Sequence, residues 1–245
     1  MHDDGQAPPM GTLDGRTALV TGGTRGIGLA AARGLGREGA RVVLIGTDRA
    51  RADAAVAELS AEGIDAECAV VDVADGPGME AAAERISSPD IVIASAGVMA
   101  GRMTKTLRTS PEEWRRVLSI NLDGVFHTLR CFTPGMVERR DGRVIVVSAC
   151  LGRSTGPGLE GGLVPYRVSK AGVNALVRSF AAETGHGARG VLVDAMCPGH
   201  CRTDMGGPDA PRSAEEGADT IVWLAARAAG QPTGLLWEDR QLVDW

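Results

Sequence analysis

The stretch Thr17-Ala18-Leu19-Val20-Thr21-Gly22-Gly23-Thr24-Arg25-Gly26-Ile27-Gly28 decides the fold. An apolar run rich in β-formers stops at glycines, and an alanine-rich segment, 26–38, follows at helical spacing. Glycines at 22, 26 and 28 allow a tight turn, let a pyrophosphate approach the backbone, and let the helix pack close to the sheet. The N–H groups that open such a helix lack partners within it and attract an anion. The stretch therefore reads as a dinucleotide-binding turn in a βαβ unit, formed by Gly22, Thr24, Arg25, Gly26, Ile27 and Gly28.

Outward from this turn the same alternation repeats. Strands are expected at 41–45, 67–71, 90–94, 143–147, 191–196 and 234–237, with helices at 48–62, 79–86, 165–183 and 213–227. A long helix starts at Ser110-Pro111-Glu112-Glu113, where serine caps, proline takes the first turn and a glutamate stands three residues after the cap. Continuous apolar strands joined by helices predict an α/β Rossmann fold, a doubly wound, mostly parallel sheet of seven strands with helices on both faces. The expectation is a single domain over residues 12–245 preceded by a flexible tail, 1–11. The longest loops, 152–164 and 198–212, follow strands at the carboxyl edge, where open α/β sheets bind ligands.

Composition removes several classes of function. The formal charge is −5, with no basic cluster to footprint nucleic acid, and only eight aromatics offer themselves for stacking. No apolar run reaches the length of about 18 residues that a membrane span needs. Five cysteines without a CxxC pair, behind a tail that lacks the pattern of a secretory signal, suit a reducing cytoplasm. Cys197, His200 and Cys201 cross a Pro-Gly turn without the paired spacing of a zinc site, and no metal is expected.

Charge also bears on the choice of dinucleotide. A free adenosine ribose calls for a carboxylate at the end of the second strand, but that strand runs Leu44-Ile45-Gly46-Thr47 and the next acid, Asp48, suits a helix cap. Arg25 and Arg49 flank the place where a 2′-phosphate would lie, so NADP(H) is expected, with Thr47 alongside. The chemistry points to Tyr166-Arg167-Val168-Ser169-Lys170, in which the one tyrosine of the chain has a lysine one helical turn later. An ammonium beside a phenol lowers the phenol pKa from its reference near 10 and lets it exchange a proton with a substrate oxygen.

Taken together, TGGTRGIG at 21–28, Asp72-Val73, Asn121, YRVSK at 166–170 and Pro198-Gly199 with Thr203 give the chain a sequence that resembles the short-chain dehydrogenase/reductase family. The stretch from Cys197 onward is similar to that of carbonyl-reductase-like members. The resemblance implies Tyr166 as general acid in reduction, Lys170 holding the nicotinamide ribose, and Asn121 positioning a proton-relay water. It also implies Asp72 and Val73 at the adenine, Ala96 and Gly97 along the cofactor, and Pro198, Gly199 and Thr203 on the nicotinamide side. A homodimer or homotetramer acting on a small carbonyl compound, a ketone or quinone, is the expected form.

Two departures stand out. The family serine at the end of the fifth strand falls on Ala149, with Ser148 beside it and Tyr166 17 residues on. A bulge would swing Ser148 inward as the catalytic donor; alternatively Ser154, Thr155 or a water substitutes; otherwise the chemistry is C=C reduction or a redox-neutral reaction, or the chain binds NADP without catalysis. The fourth strand ends Ala94-Ser95-Ala96-Gly97, where relatives often carry asparagines. Met99, Met103, Leu151, Leu159, Leu163 and Met205 are candidates for an apolar pocket, and His200 for a residue facing substrate or solvent. His127 reads as an ordinary helix-face residue and His186 as a solvated helix end.

Overall fold

The computed structural model describes residues 12–99 and 105–245; the expected tail and Met103 lie outside the described residues. The apolar runs form β1 (Thr17–Thr21), β2 (Arg41–Gly46), β3 (Ala66–Val70), β4 (Ile91–Ala94), β5 (Gly142–Val147), β6 (Val191–Met196), β7 (Leu236–Glu238) and β8 (Gln241–Val243). They make one sheet in the order β3-β2-β1-β4-β5-β6-β7-β8. All neighbours are parallel except β7 and β8. The sheet thus has eight strands where seven are expected. The extra strand folds back through Asp239 and Arg240, both left-handed at φ 49° and 59°. That is a two-residue hairpin turn without the glycine or asparagine that usually announces one.

The helices are α1 (Gly26–Arg37), α2 (Arg49–Ala61), α3 (Gly76–Arg85), α4 (Pro111–Leu118), α5 (Gly124–Phe132), α6 (Pro134–Arg139), α7 (Val164–Glu183) and α8 (Ala214–Ala225). Local chemistry sets their starts. Ser110 accepts from the Glu113 N–H at 3.2 Å, and Ser213 and Glu216 close a reciprocal capping box. Asp48 accepts from the Arg51 N–H at 3.0 Å, which accounts for that carboxylate as a cap. The long helix after Ser110 does not run straight. A π turn, Ser119–Asp123, separates α4 from α5.

Alternation along the strands feeds two cores. Val20, Leu44, Ile93, Ile145 and Val147 face Ala31, Leu35, Leu59, Ile221 and Leu224 of α1, α2 and α8. Leu19, Val43, Val92, Val144 and Val146 face Met79, Leu129, Phe132, Val173 and Val177 of α3, α5 and α7. Strand order reverses between β1 and β4, and the loops that leave their carboxyl ends meet there. A Cβ added at Gly22 would come within 2.7 Å of Ala96 Cα. Thr21 Oγ1 accepts from the Ser95 and Ala96 N–H groups at 3.2 and 3.4 Å, tying the two loops together.

Candidate active site

The glycine turn lies at this switch point, and its shape depends on missing side chains. Gly22 and Gly26 have φ of 64° and 54°, a region that side chains disfavour. A Cβ on Gly28 would approach Gly22 O to 2.2 Å, so the first turn of α1 lies directly on the strand end. Such a cradle fits a pyrophosphate against the opening N–H groups of α1. Thr203 closes it from the far side, with its methyl 3.2 Å from a Cβ built on Gly26. Arg25 forms an exposed ion pair with Asp204 of the same loop. Arg49 is also exposed and pairs with Asp53 at 3.5 Å, while Thr47 is exposed at the end of β2. Exposed pairs of this kind contribute about 0–1 kcal/mol, so both guanidiniums are free to take another anion.

Beside the cradle stand the groups capable of proton chemistry. Tyr166, Lys170 and Asn174 follow at intervals of four on α7, and all three are buried. Leu163, left-handed at φ 52°, turns the chain into that helix. Lys170 Nζ donates to Val147 O at 2.8 Å and lies 5.7 Å from the centre of the Tyr166 ring. A Cβ on Gly97 would sit 3.8 Å from Nζ and 3.4 Å from Asn121 Oδ1, ordinary contact distances that place this residue beside both side chains. Asn121, at the centre of the π turn, is fully buried. Its Oδ1 accepts from the Val98 N–H at 2.8 Å, and its Nδ2 donates to Val98 O at 3.0 Å and Ser169 Oγ at 3.1 Å. Both amide protons are therefore in use, and the side chain braces the β4 loop against α7.

Electrostatics here depart from expectation. Burial pushes the Tyr166 phenol well above its ordinary value, and the Cys197 and Cys150 sulfurs add to the effect. The expected lowering by Lys170 is absent, because its ammonium is turned to Val147 O and burial pushes that lysine itself down to about 8. Without dinucleotide, the phenol is held protonated.

Ser148 does not swing inward as a bulge would require. The extended backbone continues through Ala149, at φ −159° and ψ 151°, and the Ser148 N–H keeps its ladder bond to Met196 O at 2.8 Å. No bulge intervenes, so Ser148 follows Val144 and Val146 onto the α7 face and donates its hydroxyl to Asn174 Oδ1. Asn174 Nδ2 in turn donates to Gly152 O at 3.1 Å. Ala149 is the residue that packs with Tyr166, together with Val117, Val98, Met99, Leu151 and Leu163. Of the alternative donors, Ser154 and Thr155 are exposed, and Thr155 Oγ1 accepts from Arg153.

Comparison with known proteins adds the lineage. A family model described as short chain dehydrogenase matches residues 16–214. The chain belongs to the short-chain dehydrogenase family. It is 32% identical over 242 residues to the 3-oxoacyl-(acyl-carrier-protein) reductase of Pseudomonas aeruginosa, covering 91% of this chain and 95% of that one. Glycine betaine reductase of Emericella nidulans is 38% identical over 202 residues, 80% of this chain, which spans only 15% of that protein's length. Among solved structures, a 3-oxoacyl-(acyl-carrier-protein) reductase from Brucella melitensis with bound NAD superposes with a TM-score of 0.83 at 28% identity, covering 96% of this chain and 95% of that one. A variant of actinorhodin polyketide ketoreductase with NADPH gives 0.79 at 28% identity, covering 90% and 94%.

The remaining expected residues of this short-chain dehydrogenase fall unevenly. Asp72 is exposed, with Oδ1 accepting from the Ala74 N–H at 2.9 Å, and Val73 is buried. Pro198 is buried and Gly199 takes φ 70°, while Thr203 Oγ1 accepts from the Gly206 N–H at 3.1 Å. Met99, Leu151 and Leu163 gather at Tyr166, whereas Leu159 and Met205 are exposed. His200 is exposed and bonds Gly206 O at 2.8 Å within its own loop. Cys201 turns to Pro198 O and Cys197 to Cys150, so the three do not converge. Among the described residues no group of three or more His, Cys, Asp or Glu could hold a metal ion.

Two positioning residues escape a sequence reading. His127 is not a free helix-face residue; its Nδ1 lies 2.8 Å from Val73 O and fixes the Asp72–Val73 loop against α5. Asn174 holds both Ser148 and Gly152, and its place four residues after Lys170 is the signal that finds it.

Proposed function

We propose that this short-chain dehydrogenase is an NADP(H)-dependent reductase of a ketone or quinone-like carbonyl, with Tyr166 as the proton donor. The observation that carries the reading is the convergence of Tyr166, Lys170 and Asn121 at the sheet edge that also bears the glycine cradle. When bound, the reduced nicotinamide supplies the hydride. The chain's own part is to deliver a proton and hold the geometry. Burial keeps the phenol in the protonated form that donation in the reduction direction starts from, while making it a weaker acid than a free tyrosine. Lys170 has three donors and uses one on Val147 O, which leaves two for ribose hydroxyls. Pro198, Gly199 and Thr203 would line the nicotinamide side, Ala96 and Gly97 the β4 edge, and Asp72 with Val73 the adenine.

The preference for a 2′-phosphate rests on Arg25 and Arg49, on exposed Thr47, and on Asp48 being committed to its helix. The ratio of kcat/KM with NADPH to that with NADH reads it directly. Tyr166→Phe tests the mechanism. Turnover is expected to fall by roughly 10²–10⁴ while dinucleotide binding persists. Full turnover in that variant would refute the assignment.

Ala149 favours a second reading. With alanine against Tyr166 and Ser148 committed to Asn174, the reacting oxygen lacks a serine donor, which suits reduction of an activated C=C bond or a redox-neutral reaction. Tracing deuterium from labelled NADPH separates the readings, since the label arrives on the carbonyl carbon, on the β-carbon of an activated double bond, or nowhere.

A further inference from the structure

Two cysteines stand just past the carboxyl ends of the neighbouring strands β5 and β6. Cys197 follows β6 directly and is buried, whereas Cys150 opens a short 3-10 turn, Cys150–Gly152, and is half-buried. The Cys150 main-chain N–H donates to Cys197 Sγ at 3.0 Å. Cys197 Sγ thus lies against the main chain of Cys150 itself, and a disulfide asks for the two Cα atoms to stand roughly 4.4–6.8 Å apart. Closure therefore asks for a shift of the turn rather than a parting of the strands.

We propose that Cys150 and Cys197 form a peroxide-oxidisable dithiol that closes reversibly to a disulfide tying β5 to β6 beside Tyr166. Cys150 is the attacking sulfur. It is the accessible member of the pair, half-buried where Cys197 is buried, and its neighbour Cys197 pushes its thiol down, against burial and Glu238 and with Arg153. The other four thiols, Cys68, Cys131, Cys197 and Cys201, are all pushed up. The Cys150 thiolate attacks one oxygen of hydrogen peroxide, the O–O bond breaks, and hydroxide leaves to become water. Cys197 sulfur then attacks the sulfenic sulfur of Cys150, the S–S bond forms, the S–O bond breaks, and a second water carries off the Cys197 proton. Two thiols are oxidised by two electrons and one peroxide is reduced to two waters. An external dithiol reverses the bridge by exchange.

The bridge would be flanked by Ala149 on one side and Pro198 on the other, so it constrains two loops of the candidate active site. That consequence for turnover rests on the reductase reading; the bond itself does not. The test treats the full chain with hydrogen peroxide, alkylates the remaining thiols and maps the peptides. The expected result is a linked Cys150–Cys197 peptide, lighter by two hydrogens and released by dithiothreitol, with Cys68, Cys131 and Cys201 alkylated. In Cys197→Ser the intermediate has no resolving partner, and a 1,3-dione is expected to trap the Cys150 sulfenic acid. A link through any other cysteine, Cys150 carried to sulfinic acid while Cys197 stays free, or no reaction at Cys150 would overturn the proposal. A linked peptide supports the dithiol whether or not the reduced chain turns over a carbonyl, so failure of the reductase reading registers separately.

Discussion

Position 149 carries a single methyl, and it shares one buried cluster with Tyr166 and Val117. Loss of one aimed donor to a developing oxyanion costs roughly 10²–10³ in rate. Ala149→Ser is therefore expected to raise kcat with a carbonyl substrate while leaving NADPH affinity unchanged; a fall in kcat in steady-state assays would mean that substrate shape requires the alanine. Lys170 makes a second prediction at this scale. Its pKa in the fold, about 8, lies below its ordinary 10.5, so between these values the folded chain binds fewer protons than the unfolded one and stability rises with pH. Tyr166 works in the opposite direction above its ordinary 10, because the fold keeps a proton that the unfolded chain releases. Cys68, Cys131, Cys197 and Cys201, whose thiols are pushed up, also oppose the rise from about pH 9, so the lysine is read by difference: between about pH 8 and 10 the urea midpoint of Lys170→Met should change with pH less favourably than that of the parent chain.

Between α4 and α5 the π turn does what a regular helix cannot. The wider turn brings Asn121 onto Val98, where one amide satisfies both main-chain groups of a residue in the β4 loop. Asn121→Ala leaves buried polar groups without partners, at about 1–3 kcal/mol each. The expected outcome is a lower melting temperature and lost amide-exchange protection at Val98, read by thermal denaturation and hydrogen exchange. Elements of this kind divide sequence from structure. Caps at Ser110, Asp48 and Ser213 are local chemistry, written in a few consecutive residues. The π turn and β8 are not, because Asn121 finds Val98 and Leu242 finds Trp237 only after the sheet has formed.

Across the whole molecule, the surface retains large apolar side chains on three helices packed over one face: Trp114 on α4, Phe126 on α5 and Val168 on α7. We propose that the homodimer or homotetramer expected from the sequence uses these side chains. Phe126→Glu should shift sedimentation toward the monomer at unchanged helical content; an unaltered assembly would place the interface elsewhere.

Residues 17–28 by themselves make the strand, the glycine turn and the helix start legible, since these are consecutive and interact within a few bonds, whereas Ala96 and Thr203 reach the turn only through the fold. The alternation of apolar strands with helices likewise determines the doubly wound sheet, because periodicity is a property of the chain itself. Which way Ser148 points, which residue lies against Tyr166, and what becomes of the charge on Lys170 were decided only by the tertiary structure. Those outcomes depend on Asn174, Val147 and burial, contributions that arrive from other elements and have no signature in the local sequence.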